Sequence, residues 1–396
     1  VKGVRYVSSS GNSGYAVAGR SYVRALVEAG LELTWTPMKV WPHGDEMDEE
    51  YDGDCEVLAS VHNRPLDYDT AILHLVPEYY PAWIDRERSA GRRVFGYTVW
   101  ELAKLPEHWP VVLNRLDGLF VPCRWNARVF RESGVTVPIH VVPHLSQFEN
   151  SPPSSAAQRL ALMERLGTGA DTTGTRPAPF VFYTVGFWSN RKAPNLVLEA
   201  YWRAFSADDP VFMIVKTSDQ DITRTHRPWR GGFRLRHPST GESARRLAAA
   251  HRNPARWVVI EGETLSDPEM RTLHDLGDCF VSLTRCEGWG LGAYEAARLG
   301  KPVVMTGYGG QRDYLPDDLS WPVSYEMVPV HEPGWSGSYV DVQRWADPSL
   351  DEAARHMREI HSDPVAAGAR GARLADHIRR EFRKQDIVGA MLSALG

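Results

Sequence analysis

The sequence predicts an α/β protein built from two parallel-sheet domains, and three observations carry that reading. Short apolar runs of roughly four to six residues alternate with helical patterns along the chain, as expected of strands buried on both faces of a parallel sheet. The first run passes through a glycine-containing turn straight into a helix, the opening of a βαβ unit. A Ser/Pro-rich then Gly/Thr-rich stretch at 151–179 interrupts the pattern, which restarts at Phe180. The chain has 396 residues, and a prior of roughly 150 residues per domain gives two or three domains. With 43% hydrophobic and 24% charged residues, burial outweighs the entropy of the chain. A disordered regulator and a small stapled scaffold are thereby excluded.

The amino-terminal half begins with a strand at Val4–Ser8, the turn SSGNSG, a helix from Tyr15 to Ala29 closed by Gly30, and a strand from Leu31 to Pro37. Gly11 and Gly14 let the backbone approach a ligand, and the helix start presents unpaired N–H groups. The spelling is GNSG and not GxGxxG, and such turns also occur without ligands. Ala71–Val76 is a strand ending in an aromatic loop, PEYYPAW. Arg93–Val99 runs into TVWELAKLPEHW; Leu119–Pro122 is followed by a helix through Asn126–Glu132; Ile139–Val142 completes the set. His74, Glu78, Tyr97, Glu101, Arg124 and His144 gather at strand ends, where an open parallel sheet lines its cleft. His74 reads equally as a core histidine, and Glu101 as a cap or ion-pair partner. Trp100, Trp109 and Trp125 read as packing.

After a short helix at Ala156–Leu166, the second half repeats the alternation. Strands fall at Phe180–Val185, Val211–Lys216, Trp257–Ile260, Cys279–Leu283 and Pro302–Met305. Helices fall at Asn195–Phe205, Glu242–Ala250, Asp267–Gly277 and Leu291–Leu299. Residues 219–239 read as an irregular, Arg-rich insertion, and 351–395 as helices only, broken at SDP. The domains are expected at 1–150 and 180–371, joined by a linker at 151–179, with a last helix over 372–396.

Forty-five Lys plus Arg against 50 Asp plus Glu give a net charge of −5, the opposite of the bias a non-specific nucleic-acid binder carries. The four cysteines contain no CxxC pair, so neither a zinc pattern nor a disulfide framework is expected. No apolar run approaches the roughly eighteen residues a spanning helix needs, and the first residues lack a signal-peptide pattern. A cytoplasmic protein is expected, with membrane contact at most peripheral, at the inner face.

The most informative stretch is CFVSLTRCEGWGLGAYEAARLGKPVVMTGYGGQRDYL, from Cys279 to Leu315. A strand delivers Glu287 into the glycine-rich turn GWGLG, and Glu295 follows eight positions on, inside a helix. The turn frees backbone N–H groups and the helix start adds positive potential, which suits a diphosphate. Two carboxylates flanking it accept hydrogen bonds from sugar hydroxyls. A second loop, TGYGGQRD, brings Gly309 and Gly310 to the same sheet edge. Two spaced acids alone discriminate little; set between these glycine loops they point to a nucleotide sugar.

This stretch resembles the E-x7-E signature of retaining glycosyltransferases, in particular glycosyltransferase family 4. NRKAP at 190–194 is similar to that family's donor-phosphate loop. The resemblance covers most of 180–370 and, more loosely, GNSGY and the YTVWELAKLPEHW to VPCRWNA segment. It implies the GT-B architecture: two Rossmann-like parallel-sheet domains facing a deep cleft, with the last helix crossing back to the first domain. It implies that Glu295 holds the nucleotide ribose, that Glu287 contacts the donor sugar, and that Arg191 and Lys192 neutralise the diphosphate. Backbone and side-chain contacts from Gly14, Lys216, Thr284, Gly288, Trp289, Gly290, Leu291, Gly309 and Gly310 complete the donor site. Tyr15, His74, Tyr97 and Glu101 are assigned to the acceptor. Two departures stand out: Phe187 follows Gly186 where many relatives carry arginine, and Thr284 replaces a usual histidine.

The expected activity is transfer of a hexose or related sugar, with retention, from a nucleoside-diphosphate sugar to a hydroxyl of a glycan, lipid-linked or small-molecule acceptor. No cofactor is expected, and with no D-x-D motif near the phosphate loops, no metal either. GDP-mannose is mildly favoured over a UDP-sugar. A GT-B phosphorylase or sugar-phosphate synthase is the enzymatic alternative, for which Arg124, Arg128 and Arg131 are the cations to watch. The non-enzymatic alternative is a sugar- or nucleotide-binding protein.

Overall fold

The computed structural model describes residues 1–39, 46–47, 53, 55–149, 151–167, 178–223, 238–262, 265–332, 338–340 and 342–396. The centre of the Arg-rich stretch (224–237) and the Gly/Thr-rich part of the linker (168–177) lie outside the described residues. The chain divides into two compact units, Val1–Glu149 with Arg380–Gly396, and Asn150–Arg379.

In the first unit the elements run β1 (Val4–Ser9), α1 (Gly14–Glu28), β2 (Leu33–Lys39), β3 (Glu46–Met47), α2 (Glu56–Val61) and β4 (Thr70–His74). A 3-10 turn (Pro77–Tyr79), α3 (Tyr80–Ser89), β5 (Arg93–Tyr97), α4 (Trp109–Leu113), β6 (Gly118–Val121), α5 (Arg124–Glu132) and β7 (Ile139–Val141) follow. The seven strands form one sheet in the order β3-β2-β1-β4-β5-β6-β7. Every neighbour is parallel except β3 on β2. The order reverses between β1 and β4, so the loops leaving those strands bound the switch-point crevice in which open sheets bind ligands.

The second unit carries α6 (Ala156–Arg165), β8 (Phe180–Val185), α7 (Pro194–Ala204), β9 (Val211–Thr217), α8 (Thr240–Ala248), β10 (Trp257–Glu261) and α9 (Asp267–Leu276). It continues with β11 (Cys279–Ser282), α10 (Leu291–Arg298), β12 (Val303–Thr306), a 3-10 turn (Gly310–Asp313) and β13 (Trp321–Val323). Then come β14 (Tyr325–Pro329), β15 (Arg344–Pro348), α11 (Leu350–Ser362) and α12 (Pro364–Glu381). The six-stranded parallel sheet has the order β10-β9-β8-β11-β12-β13, and β14–β15 is a separate antiparallel pair. Here the switch point lies between β8 and β11. The final helix, α13 (Lys384–Leu395), belongs to the first unit, where Arg93 Nη2 donates to the Leu395 carbonyl at 2.6 Å.

Local chemistry explains the boundaries. Ser155/Gln158, Ser239/Glu242 and Ser266/Glu269 form reciprocal capping boxes that start α6, α8 and α9. Pro194 opens α7, a first-turn position where the missing N–H costs nothing. Two expectations need correction. PEYYPAW is not a loop: Pro77 and Pro81 both fall in first-turn positions, so the segment turns into helix. No break occurs near Ala372, which lies inside α12; the last helix starts at Lys384. The short helix α4 and the hairpin β14–β15 have no counterpart in the sequence reading.

Candidate functional site

The loops leaving β8 and β11 meet at the switch point of the second sheet, and they bring Arg191, Lys192 and Glu287 together. The Glu287 carboxylate is buried, 7% exposed. Lys192 Nζ donates to its Oε1, and Arg191 Nη1 lies 3.5 Å from its Oε2. Burial works against that charge, but the Lys192 and Arg191 cations outweigh it and hold the carboxyl below the usual carboxylate range. Arg191 Nη1 also donates to the Cys286 carbonyl at 3.2 Å.

The two glycine loops interlock. Gly309 adopts φ +109°, and a Cβ there would come 2.6 Å from the Glu287 carbonyl oxygen. The Gly310 N–H donates to that same oxygen at 2.8 Å. The second loop therefore holds the first in place through Gly310, whose amide is engaged within the protein. Gly290, at φ +89°, precedes α10 with no side chain capping the helix. First-turn amides of a helix, here those from Leu291 on, have no intrahelical acceptor. Tyr314 Oη bonds the Trp289 and Gly290 carbonyls at 3.0 and 2.9 Å. Trp289, Tyr294 and Tyr314 pack ring against ring, which engages the Trp289 side chain in packing. Glu295 is 2% exposed on α10.

Thr284 does not offer its hydroxyl outward. It is fully buried, and Oγ1 lies 3.1 Å from both the Arg191 and Cys286 carbonyls, tying the β8 loop to the β11 loop. Lys216 reaches the Thr217 carbonyl at 3.3 Å, near the end of β9. Two residues missed in the sequence complete the arrangement. Arg285 donates to the Asn190 carbonyl and to Asp347 Oδ1, and its own N–H bonds the Arg191 carbonyl at 2.8 Å. Glu332 accepts the Arg191 N–H at 2.7 Å.

In the first unit, Gly14 is the exposed first residue of α1, behind the N-cap Ser13. Tyr15 and Glu101 are partly exposed, and Tyr15 Oη meets Thr98 Oγ1 at 2.8 Å. His74 and Tyr97, by contrast, have no exposed surface. His74 Nδ1 meets Tyr6 Oη at 2.8 Å, Tyr97 Oη donates to the Val142 carbonyl at 2.6 Å, and the His74 and His144 rings stack 6.2 Å apart. His74 and Tyr97 are buried, with His74 Nε2 left without a hydrogen-bond partner, and their burial favours the core reading over the acceptor assignment. Arg124, Arg128 and Arg131 are exposed on α5.

Among the described residues no group of three His, Cys, Asp or Glu side chains is arranged to hold a metal. Among them, too, no helix is long and apolar enough to cross a membrane.

Two doubly wound sheets of this order, each with its loops at the switch point, define a GT-B-type protein, and solved structures agree. Anabaena Alr3699/HepE in complex with UDP-glucose superposes with a TM-score of 0.65 at 13% identity, over 99% of this chain and 98% of that one. Sucrose-phosphate synthase from Thermosynechococcus elongatus gives 0.66 at 12% identity, over 100% and 98%. The α,α-trehalose 6-phosphate synthase of Burkholderia multivorans gives 0.62 at 11%, again over 100% and 98%. The chain has the GT-B fold, two Rossmann-like parallel-sheet domains. More particularly, residues 234–391, less than half of the chain, match the family described as family 4 glycosyltransferase in conflict systems. That span includes Glu287 and Glu295 but not Arg191 and Lys192. No curated protein sequence matches the chain.

Proposed function

We propose that the chain is a nucleotide-sugar-dependent glycosyltransferase that transfers a hexose or related sugar with retention to an acceptor hydroxyl. The observation that carries the reading is the Arg191–Lys192 pair gathered on Glu287 beside the GWGLG turn and the start of α10. Two fixed cations and a helix start suit a leaving diphosphate. On donor binding the diphosphate replaces Glu287 on these cations, and the carboxylate turns to the sugar ring. The bond from the anomeric carbon to the β-phosphate oxygen breaks, and the acceptor oxygen bonds to that carbon on the same face. The acceptor proton passes to the departing phosphate oxygen. Glu295 holds the ribose, while Tyr15 and Glu101 remain as the acceptor-side residues. The chemistry needs no metal, because Arg191 and Lys192 supply the charge.

The loop spelling favours GDP-mannose, whereas the structural relatives described with a nucleotide carry UDP; both donor classes belong in the test. Saturation-transfer NMR against GDP-, UDP- and dTDP-sugars, repeated with Glu295→Ala, is expected to show one nucleotide class bound by wild type and lost in the variant. Binding of no nucleotide, or equal binding by the variant, overturns the assignment.

A further inference from the structure

The cation pair sits on a short loop with an uncomfortable backbone. Ala193, fully buried at the end of that loop, holds a left-handed φ of +45°, a conformation costly for a residue with a Cβ. Its neighbours must therefore over-determine the loop. On one side it is held by the β11 loop, through the Arg285 N–H and Thr284 hydroxyl on the Arg191 carbonyl. On the other side stands the chain leaving β14. Asn190 Nδ2 donates to the His331 carbonyl at 3.0 Å, and the Arg191 N–H donates to Glu332 Oε2 at 2.7 Å. Glu332 is 5% exposed, and its Oε1 has no hydrogen-bond partner. Arg285 stacks on Trp345 of β15 at 5.4 Å, pairs with Asp347 at 2.9 Å, and reaches the Asn190 carbonyl. The chain leaving β14 thus holds residues 190–191 by two hydrogen bonds, and Arg285, anchored on β15, adds a third.

A buried carboxylate beside the cations is costly if its only effect is to oppose the charge they present to an anion. Its burial pushes the Glu332 carboxyl up, against the pull of the Arg191 N–H and the arginine charges. What the carboxylate does provide is an acceptor for the backbone at 190–191, above all for the Arg191 N–H, which fixes where the Arg191 side chain starts. We propose that Glu332 is a positioning residue: through the Arg191 N–H it fixes the Arg191–Lys192 loop in the orientation that receives a diphosphate. The consequence for ligand binding rests on the transferase reading; the geometry does not.

The test separates position from charge. Removing the carboxylate's charge alone tightens a bound anion, whereas losing the hydrogen bond loosens the loop. Hydrogen–deuterium exchange of the 187–195 segment is followed in wild type, Glu332→Ala and Glu332→Gln, alongside titrations with UDP, GDP, uridine and guanosine. The alanine variant is expected to speed exchange at the Arg191 amide and weaken the bound nucleoside diphosphate about tenfold, the worth of one charge-assisted hydrogen bond. The matching nucleoside should stay within about twofold, and the glutamine variant, which still offers an acceptor, should bind the diphosphate as wild type does or tighter. If Glu332→Ala fails to fold, Glu332→Gln and Asn190→Ala carry the test, the latter expected to give the same exchange and affinity changes at smaller size. Unchanged exchange and affinity in Glu332→Ala overturn the proposal, as does equal weakening of nucleoside and diphosphate. If wild type binds no nucleotide, the transferase reading fails and the exchange measurement alone decides the positioning role.

Discussion

Gly309 is the residue on which the site's geometry turns. Its φ of +109° and the 2.6 Å approach of a Cβ to the Glu287 carbonyl leave room for no side chain. Gly309→Ala is expected to cost about 2–3 kcal/mol, through left-handed strain plus overlap with backbone that cannot yield. The clash falls on the residue whose carboxylate meets Arg191 and Lys192, so diphosphate binding should fall with stability. Gly389→Ala is the control: it lies in α13 with nothing within 4 Å of a new Cβ. Helix propensity there predicts a gain of about 1 kcal/mol. Urea denaturation of the two variants checks both signs. An unperturbed Gly309→Ala would mean that the loops are not interlocked as described.

At the scale of elements, the helix starts are where sequence and structure agree most directly, because a capping box is a local device. Ser266 takes the Glu269 N–H on its hydroxyl, while its own N–H donates to the Glu269 carboxylate at 2.9 Å. Ser266→Ala should lower stability by about 1 kcal/mol and Ser266→Gly by only a few tenths, read as shifts in the urea midpoint. The strands were legible for a related reason: buried on both faces, they are written as unbroken apolar runs such as AIL and VFMIV. Glu287, Glu295 and the cation pair were singled out in the sequence because each lies in a short motif around a glycine turn or helix start, and the fold brings Glu287, Arg191 and Lys192 together. The hairpin was not, since β14 is largely exposed and carries no apolar run. Glu332 acts on a loop 141 residues away in sequence, and a contact that distant leaves no local pattern. His74 and Tyr97 mislead in the opposite way. A polar residue at a strand end has the same spelling whether it lines a crevice or closes a core, and only packing separates the two.

At the scale of the whole molecule, each unit keeps a neutral imidazole in its interior, and this sets how the fold responds to acid. In the first unit burial pushes His144 down to about 3 and His74 well below its ordinary value. In the second, burial pushes His274 down to about 3, its ring 2.9 Å from Tyr183 Oη. The folded protein leaves these rings unprotonated near neutrality, while the unfolded chain takes up protons near pH 6.5. Between those values the unfolded state binds more protons, so stability is full above pH 6.5 and is lost as the pH falls towards 3. Each histidine accounts for about 2 kcal/mol lost by pH 5. Glu287 has a lowered value, so its contribution fades as the pH falls from the ordinary carboxylate value downward. The buried Glu332 and Asp278 carboxyls, with raised values, gain stability on acidification, so the loss between pH 7 and 5 is carried by the histidines against that gain. Urea unfolding at pH 7, 6 and 5 should show this slope, and His144→Asn, which cannot titrate, should flatten it by about one histidine's worth. Imidazole NMR shifts that stay in the neutral form down to pH 4.5 in the folded protein are the direct signature. A titration near pH 6.5 at His74 or His144 would mean that water reaches the strand ends of the first sheet. His74 would then return to the acceptor side of the reaction.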